Sequence, residues 1–254
     1  MPGARVVALG ASNLALGLQA LVATARAAFG ADLEVLAALG YGRSYGAPSS
    51  LAGRTLPGIL QSSLWRELEQ RPFVPTRAII TDVGNDVLYA VMPARILEWV
   101  EEALTRLLVH TGDVTLTGLP IESIHQLSPK AFLFFRTLFF PPCRLSRYEV
   151  FERVDEVSAG LERLAAKHNV RFVRLRREWY AFDPIHIRPA SWRTAWRELL
   201  VSERASEDQP ARLSAAEWIH LHRCSPEHQW IFGRERLRPQ TGRVLSRGGR
   251  LWLY

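Results

Sequence analysis

The chain of 254 residues has few cysteines, few lysines and no long apolar run, and each shortage narrows what it can be. Cys143 and Cys224 are its only cysteines, too few for a disulfide framework, so the fold must hold by packing. At this length roughly 70–75% of the unfolded chain's surface can be buried, enough for a core without metal or disulfide staples. The most apolar stretch, residues 131–140, falls well short of the ~20 residues a membrane-crossing helix needs and is interrupted by Arg136. No basic segment leading into an apolar one opens the chain, whose first apolar run is only residues 6–9. The expectation is a cytoplasmic protein with no integral membrane segment. The phosphate-cradling patterns G-x-G-x-x-G and G-x-x-x-x-G-K-[ST] are missing, which weighs against a nucleotide site.

What is present is globular composition with a basic bias. The chain is 48% hydrophobic and 22% charged, which excludes disorder and collagen-like structure. Its 32 basic residues outnumber 25 acidic ones for a net charge of +7, and with Lys130 and Lys167 the only lysines, almost all of the positive charge is arginine. Such a balance can attract anionic substrates, nucleic acid or a membrane surface. The arginines are scattered and no nucleic-acid-binding motif accompanies them, so no nucleic-acid partner is expected.

Short β-type apolar runs alternate with stretches at helical spacing. Strands are expected over residues 5–9, 33–39, 78–82, 114–117 and 170–175, and helices over about 14–29, 60–70, 94–110, 148–168 and 190–201. Strands separated by helices long enough to cross over imply a parallel sheet covered on both faces, with ligands beyond the carboxyl ends of the strands. The last fifty residues read differently. Residues 202–212 are polar and look like a linker, 213–222 suggest a helix, and 244–254 suggest a terminal hairpin turning on Gly248-Gly249. The expected division is one domain over 1–201 with a C-terminal extension, 202–254, packed on it.

Four blocks fall at the expected strand ends. Strand one runs into Gly10-Ala11-Ser12-Asn13. Asn13 suits a helix N-cap; Ser12 is either a second cap candidate or a hydroxyl presented at the sheet edge among free backbone N–H groups. Strand two ends in Gly40-Tyr41-Gly42-Arg43-Ser44, an ordinary turn or a place where backbone N–H groups approach a ligand. Strand three ends in Val83-Gly84-Asn85-Asp86, where Asn85 is a turn residue or an amide able to donate to a developing oxyanion. Strand five leads to Asp183-Pro184-Ile185-His186. There a histidine can take a serine's proton while an aspartate three residues upstream holds its other nitrogen; the plainer reading is a structural histidine before a helix.

Taken together and in this order, the blocks resemble the SGNH (GDSL-type) hydrolase superfamily, over about residues 5–201. The resemblance implies a three-layer α/β/α sandwich around a five-stranded, mainly parallel sheet of flavodoxin-like type. It implies an esterase without a cofactor or metal: Ser12 as nucleophile, Asp183 and His186 completing a triad, and an oxyanion hole from Ser12, Gly42 and Asn85. Gly42 is preferred to Gly40 because Gly42-Arg43-Ser44 is similar to a G-R-S run in carbohydrate-acetylesterase members. The substrate would be a small-molecule or glycan ester; lipid, acyl and acetylated-sugar esters all stay open, as does the oligomeric state. Two positions depart from the pattern: Ala11 stands where the superfamily has an acid, and Val83 where it has a glycine. They bear on how the Ser12 turn is braced and how roomy the pocket is, and they keep open a catalytically silent binding or scaffold protein on the same fold.

Other features are weighed against blander readings. His220, His222, Cys224 and His228 are zinc-type ligands, but their spacing fits no standard finger, so no metal is expected. The phenylalanine-rich residues 131–140 are a core helix, an apolar wall for an acyl chain, or a patch facing a partner or a membrane. Trp192, Trp196, Trp252 and Tyr254 suit core or oligomer contact better than sugar stacking.

Overall fold

The computed structural model describes residues 2–201 and 215–254. The expected linker 202–212 and the start of the expected helix 213–222 therefore lie outside the described residues. Strands β1 (Ala4–Leu9), β2 (Leu33–Ala38), β5 (Thr76–Ile80), β6 (Val114–Thr117) and β7 (Arg171–Val173) are the parallel strands expected from the apolar runs. They are joined by two further strands, so the main sheet has seven rather than five. Parallel β11 (Arg250–Leu253) lies against β2, and antiparallel β10 (Arg243–Val244) lies beyond it, giving the order β10-β11-β2-β1-β5-β6-β7. The extra strands escape the crossover logic because β11 reaches β2 from more than two hundred residues away, pairing Arg250 with Glu34 and Leu253 with Ala37. The hairpin turns through Leu245–Gly249, with Gly248 and Gly249 at φ +91° and +86°.

A second, four-stranded antiparallel sheet was not legible in the sequence. The hairpin β3 (Ser49–Leu51) and β4 (Arg54–Leu56) is extended by β8 (His228–Ile231) and β9 (Arg234–Leu237). These strands are short and only three of their residues, Ser49, Leu56 and Gln229, are buried, so they carry no apolar alternation to read.

Helices cover both faces of the main sheet. One layer holds α2 (Leu18–Phe29), α9 (Trp192–Leu200) and α10 (Ala215–His222); the other holds α3 (Leu64–Gln70), α5 (Pro93–Leu108) and α8 (Arg147–Lys167). Helix α8 starts at a capping box: Ser146 Oγ accepts from Glu149 N at 3.2 Å, and Glu149 Oε2 accepts from Ser146 N at 2.7 Å. The single helix expected over 14–29 is instead two, α1 (Ser12–Leu16) and α2, separated at Gly17. A Cβ on Gly17 would lie 2.1 Å from Trp196 Nε1, so the close packing of α9 requires a glycine there. Trp196, Trp252 and Tyr254 are buried, as core contact requires.

The arginine bias has a structural use. A guanidinium has five donors in a fixed fork and can staple several carbonyls at once. Arg43 is fully buried and donates to Pro57 O and Leu39 O at 3.0 and 3.1 Å, and also to Tyr254 O. Burial, with Arg54 nearby, pulls its pKa down to about 9. Arg26 on α2 forms a buried pair with Glu217 on α10 at 2.9 Å, and Arg71 lies 4.1 Å above the Trp252 ring.

Because β11 is part of the central sheet, truncating the buried Leu251 to alanine should cost about 3 kcal/mol of unfolding free energy in urea titrations. A change below about 1 kcal/mol would mean that the strand frays independently of the sheet.

Candidate active site

The parallel strands run in the order β2-β1-β5, and the crevice opens where that order reverses, between β1 and β5. Ser12, the first residue of α1, stands at the carboxyl end of β1. Asn85, the first residue of the short helix α4 (Asn85–Leu88), follows β5. The loop carrying Asp183 and His186 closes over the same point. His186 Nε2 lies 3.0 Å from Ser12 Oγ, and His186 Nδ1 lies 2.6 Å from Asp183 Oδ2. Residues 174 positions apart thus share one hydrogen-bonded chain.

The electrostatics give that chain a direction. Burial alone would raise the Asp183 carboxyl pKa; the bond and charge of His186, with the N–H groups of Ile185 and His186 on Oδ1 at 3.0 and 3.1 Å, outweigh it and hold it below the usual carboxylate range. An ionised Asp183 can only accept, so Nδ1 carries the imidazole proton and Nε2 is left to accept from the Ser12 hydroxyl. The Phe139 ring meets the imidazole edge-on at 5.0 Å.

What braces Ser12 differs from the sequence expectation. Asn13 is not the N-cap. That position belongs to Ala11, which has no side chain able to cap. The cap comes from across the sheet. Asp82 Oδ2 accepts from Ala11 N at 2.8 Å and Leu14 N at 3.1 Å, while Oδ1 accepts from Asn13 Nδ2 at 2.9 Å. Asp82 sits at φ +61°, in the left-handed region, which ends β5 at Ile80 rather than at the expected 82. Asn13 then bridges outward, donating to Ile185 O at 2.8 Å and accepting from Ile187 N at 2.7 Å. One asparagine and one aspartate therefore tie the serine turn to the histidine loop. Sequence reasoning missed both roles; the available signal was an acid absent before Ser12 and an acid present at the end of β5.

Gly42 occupies the third position of a four-residue turn closed by Arg43 N on Gly40 O at 3.2 Å, with φ +63°, the conformation that favours glycine at that place. Tyr89 donates to Gly42 O at 2.5 Å, and Asn85 Nδ2 reaches Arg43 O at 3.4 Å. Burial pushes the Tyr89 phenol up to about 12, so it stays a donor. Among the described residues the N–H groups of Ser12 and Gly42 have no protein acceptor. Asp86, beside Asn85, is fully buried, accepts from Tyr45 N at 3.0 Å and has its carboxyl raised to about 6 by burial.

A cleft of about 860 Å³, counting its open mouth, runs from Ser12 and Asn85 into the α5–α8 layer. Helices α6 (Ile121–His125) and α7 (Pro129–Phe139) form its far side. Its walls are overwhelmingly apolar and include Leu119, Ile124, Phe132, Phe135, Val150 and Val154. In residues 131–140, Phe132 and Phe135 are buried in the core and also line the cleft. The candidate metal ligands do not converge. His228 Nε2 contacts Glu235 Oε1 at 2.8 Å, Cys224 Sγ contacts His220 O, and the side chain of His222 lies outside the description. Among the described residues no group of three or more His, Cys, Asp or Glu is placed to hold a metal, and no helix is long and apolar enough to cross a membrane.

No family model and no curated protein matches the chain. Solved structures do. One crystal structure aligns with a TM-score of 0.52 at 15% identity, covering 76% of this chain and 94% of its own. The psychrotrophic esterase EstA from Pseudoalteromonas sp. gives a TM-score of 0.48 at 14% identity, covering 76% and 92%. AlinE4, an SGNH-hydrolase family esterase, gives 0.40 at 15%, covering 87% and 92%. At such identities the likeness is one of fold. The shared architecture is a mainly parallel sheet between helical layers, which in this chain has seven strands.

Two outcomes follow. Replacing Asn13 by alanine removes three bridging hydrogen bonds and should cost about 2–3 kcal/mol of stability in chemical denaturation. Asp86 has a folded pKa near 6, above its unfolded value of 3.8, so its ionisation penalty is absent below about pH 4 and complete above about pH 6. Asp86→Asn should flatten the fall in stability across that window by on the order of 3 kcal/mol; parallel pH profiles for the two proteins would disprove the burial penalty.

Proposed function

We propose that this protein is a serine esterase that hydrolyses carboxylic esters through an acyl-enzyme. The observation that carries this reading is the hydrogen-bonded chain from Ser12 Oγ through His186 to Asp183, at 3.0 and 2.6 Å, at the mouth of the largely apolar cleft. Ser12 attacks the ester carbonyl as His186 Nε2 takes its proton, and Asp183 steadies the imidazolium. The N–H groups of Ser12 and Gly42 and the Asn85 amide receive the oxyanion. His186 then returns the proton to the leaving alcohol. In the second half-reaction it takes a proton from water, which attacks the acyl group and frees Ser12.

Two features argue for an active rather than a silent site. Asp82 supplies the brace for which Ala11 has no side chain. Val83 is buried away from the crevice lining, in the core, and leaves the mouth clear. The cleft's apolar depth favours an acyl chain of several carbons over an acetyl group, because each buried methylene is worth ~0.8 kcal/mol.

A fluorophosphonate probe should label Ser12 stoichiometrically, and Ser12→Ala should lower kcat by about 10⁴-fold or more while leaving the fold intact. A folded protein that neither labels nor turns over esters of any chain length would overturn the reading. Filling the cleft with Ile124→Phe should lower kcat/KM for an octanoyl ester about tenfold while moving that for an acetyl ester less than about twofold. Equal losses would place the acyl group elsewhere.

A further inference from the structure

Helix α7 is apolar on both faces. Its inner face, through Phe132, Phe135 and Phe139, lines the cleft beside Ser12. Its outer face carries Leu133, Phe134 and Leu138, which are 53%, 53% and 56% exposed, and Phe182 stands next to Phe134 at 77% exposed. With Lys130 and Thr137, the side chains of Leu133, Phe134 and Leu138 rim a shallow apolar groove. Large apolar groups exposed singly are ordinary; several side by side at the mouth of a site mark a surface that is covered in use.

The charge around the groove indicates what covers it. From Ser123 to Tyr148 there is no aspartate or glutamate, whereas Lys130, Arg136, Arg144 and Arg147 all fall within that stretch. Arg136 and Arg147 are spent on the carbonyls of Leu145 and Leu127; Arg144 donates to Pro141 O at 3.0 Å, but it and Lys130 are exposed. Exposed apolar side chains on a stretch whose only charged groups are cations match a lipid–water interface bearing negative charge. A second copy of the chain fits poorly, since a two-fold contact through this face would bring this acid-free stretch against its own copy.

We propose that the outer face of α7 docks on an anionic lipid surface, so that an acyl chain passes from the lipid around α7 into the cleft on its inner face. The purpose of docking rests on the esterase reading above; the docking itself does not.

The test uses the full-length Ser12→Ala protein in flotation with phosphatidylcholine vesicles, with and without phosphatidylglycerol. Binding should be about tenfold or more tighter to the mixed vesicles and should weaken with salt. Adding Leu133→Ser and Leu138→Ser should reduce it by about tenfold or more. In the protein with Ser12 intact, the same pair should leave turnover of a monomeric short-chain ester within about twofold. Reversing charge with Lys130→Glu and Arg144→Glu, without touching the apolar face, should also weaken binding. Failure of the Ser12→Ala protein to bind mixed vesicles, or unchanged binding by both variant pairs, overturns the proposal. So does self-association that the leucine substitutions abolish in sedimentation while no vesicle binding is seen. Vesicle binding by a protein that hydrolyses no ester would sink the esterase reading and leave docking standing; hydrolysis without binding would do the reverse.

Discussion

The carboxylate of Asp82 accepts hydrogen bonds from two backbone N–H groups of the Ser12 turn and from the Asn13 side chain, and the site is built outward from that point. The first turn of a helix leaves N–H groups without intrahelical acceptors, and a carboxylate is among the strongest partners they can find. Here it comes from two residues past the end of the neighbouring strand β5, 71 residues from Ala11. The sheet itself therefore fixes where the serine turn sits. Asn13 passes the constraint on to Ile185 and Ile187, either side of His186. A hydrogen bond between hydroxyl and imidazole needs placement to a few tenths of an ångström, and this relay through rigid elements supplies it.

The cleft obeys a different constraint. Its polar end, with Ser12 and Asn85, lies at the sheet edge where backbone donors collect; its depth lies among side chains of α6, α7 and α8 that exclude water. Charge developed at the mouth would meet nearby donors beside a largely apolar lining, where such interactions are stronger than in bulk water. Helix α7 forms the boundary, apolar toward the cleft and apolar toward the outside. Between the two faces, Arg136 fastens the helix to Leu145 O at 2.7 Å.

The C-terminal residues are woven into the same framework. β11 completes one edge of the main sheet, β8 extends the small sheet, and Arg43, adjacent to Gly42, donates to Tyr254 O. A buried guanidinium with no carboxylate side chain against it is costly unless carbonyls surround it. The three that do come from residues 39, 57 and 254, so the Gly42 turn and the last strand hold one another in place.

The parallel strands and the helical layers were legible in the linear chain, from apolar runs of the right period. The candidates Ser12, Gly42, Asn85, Asp183 and His186 came from four blocks at the expected strand ends, singled out because their order resembles that of a known superfamily. The break at Gly17, the Asp82 cap, the bridging by Asn13, strands β8 and β9 and the pairing of the expected terminal hairpin with β2 were not. Each depends on a partner many residues away, and nothing in the residue itself reports that partner: glycine at 17 is explained only by Trp196, and asparagine at 13 only by Asp82 and the loop at 185–187. Periodicity and local chemistry, which act over a few residues, were enough to name the elements and, with that resemblance, the reactive groups. The distances among those groups came from close packing and long-range hydrogen bonds, which exist only once the whole chain has condensed.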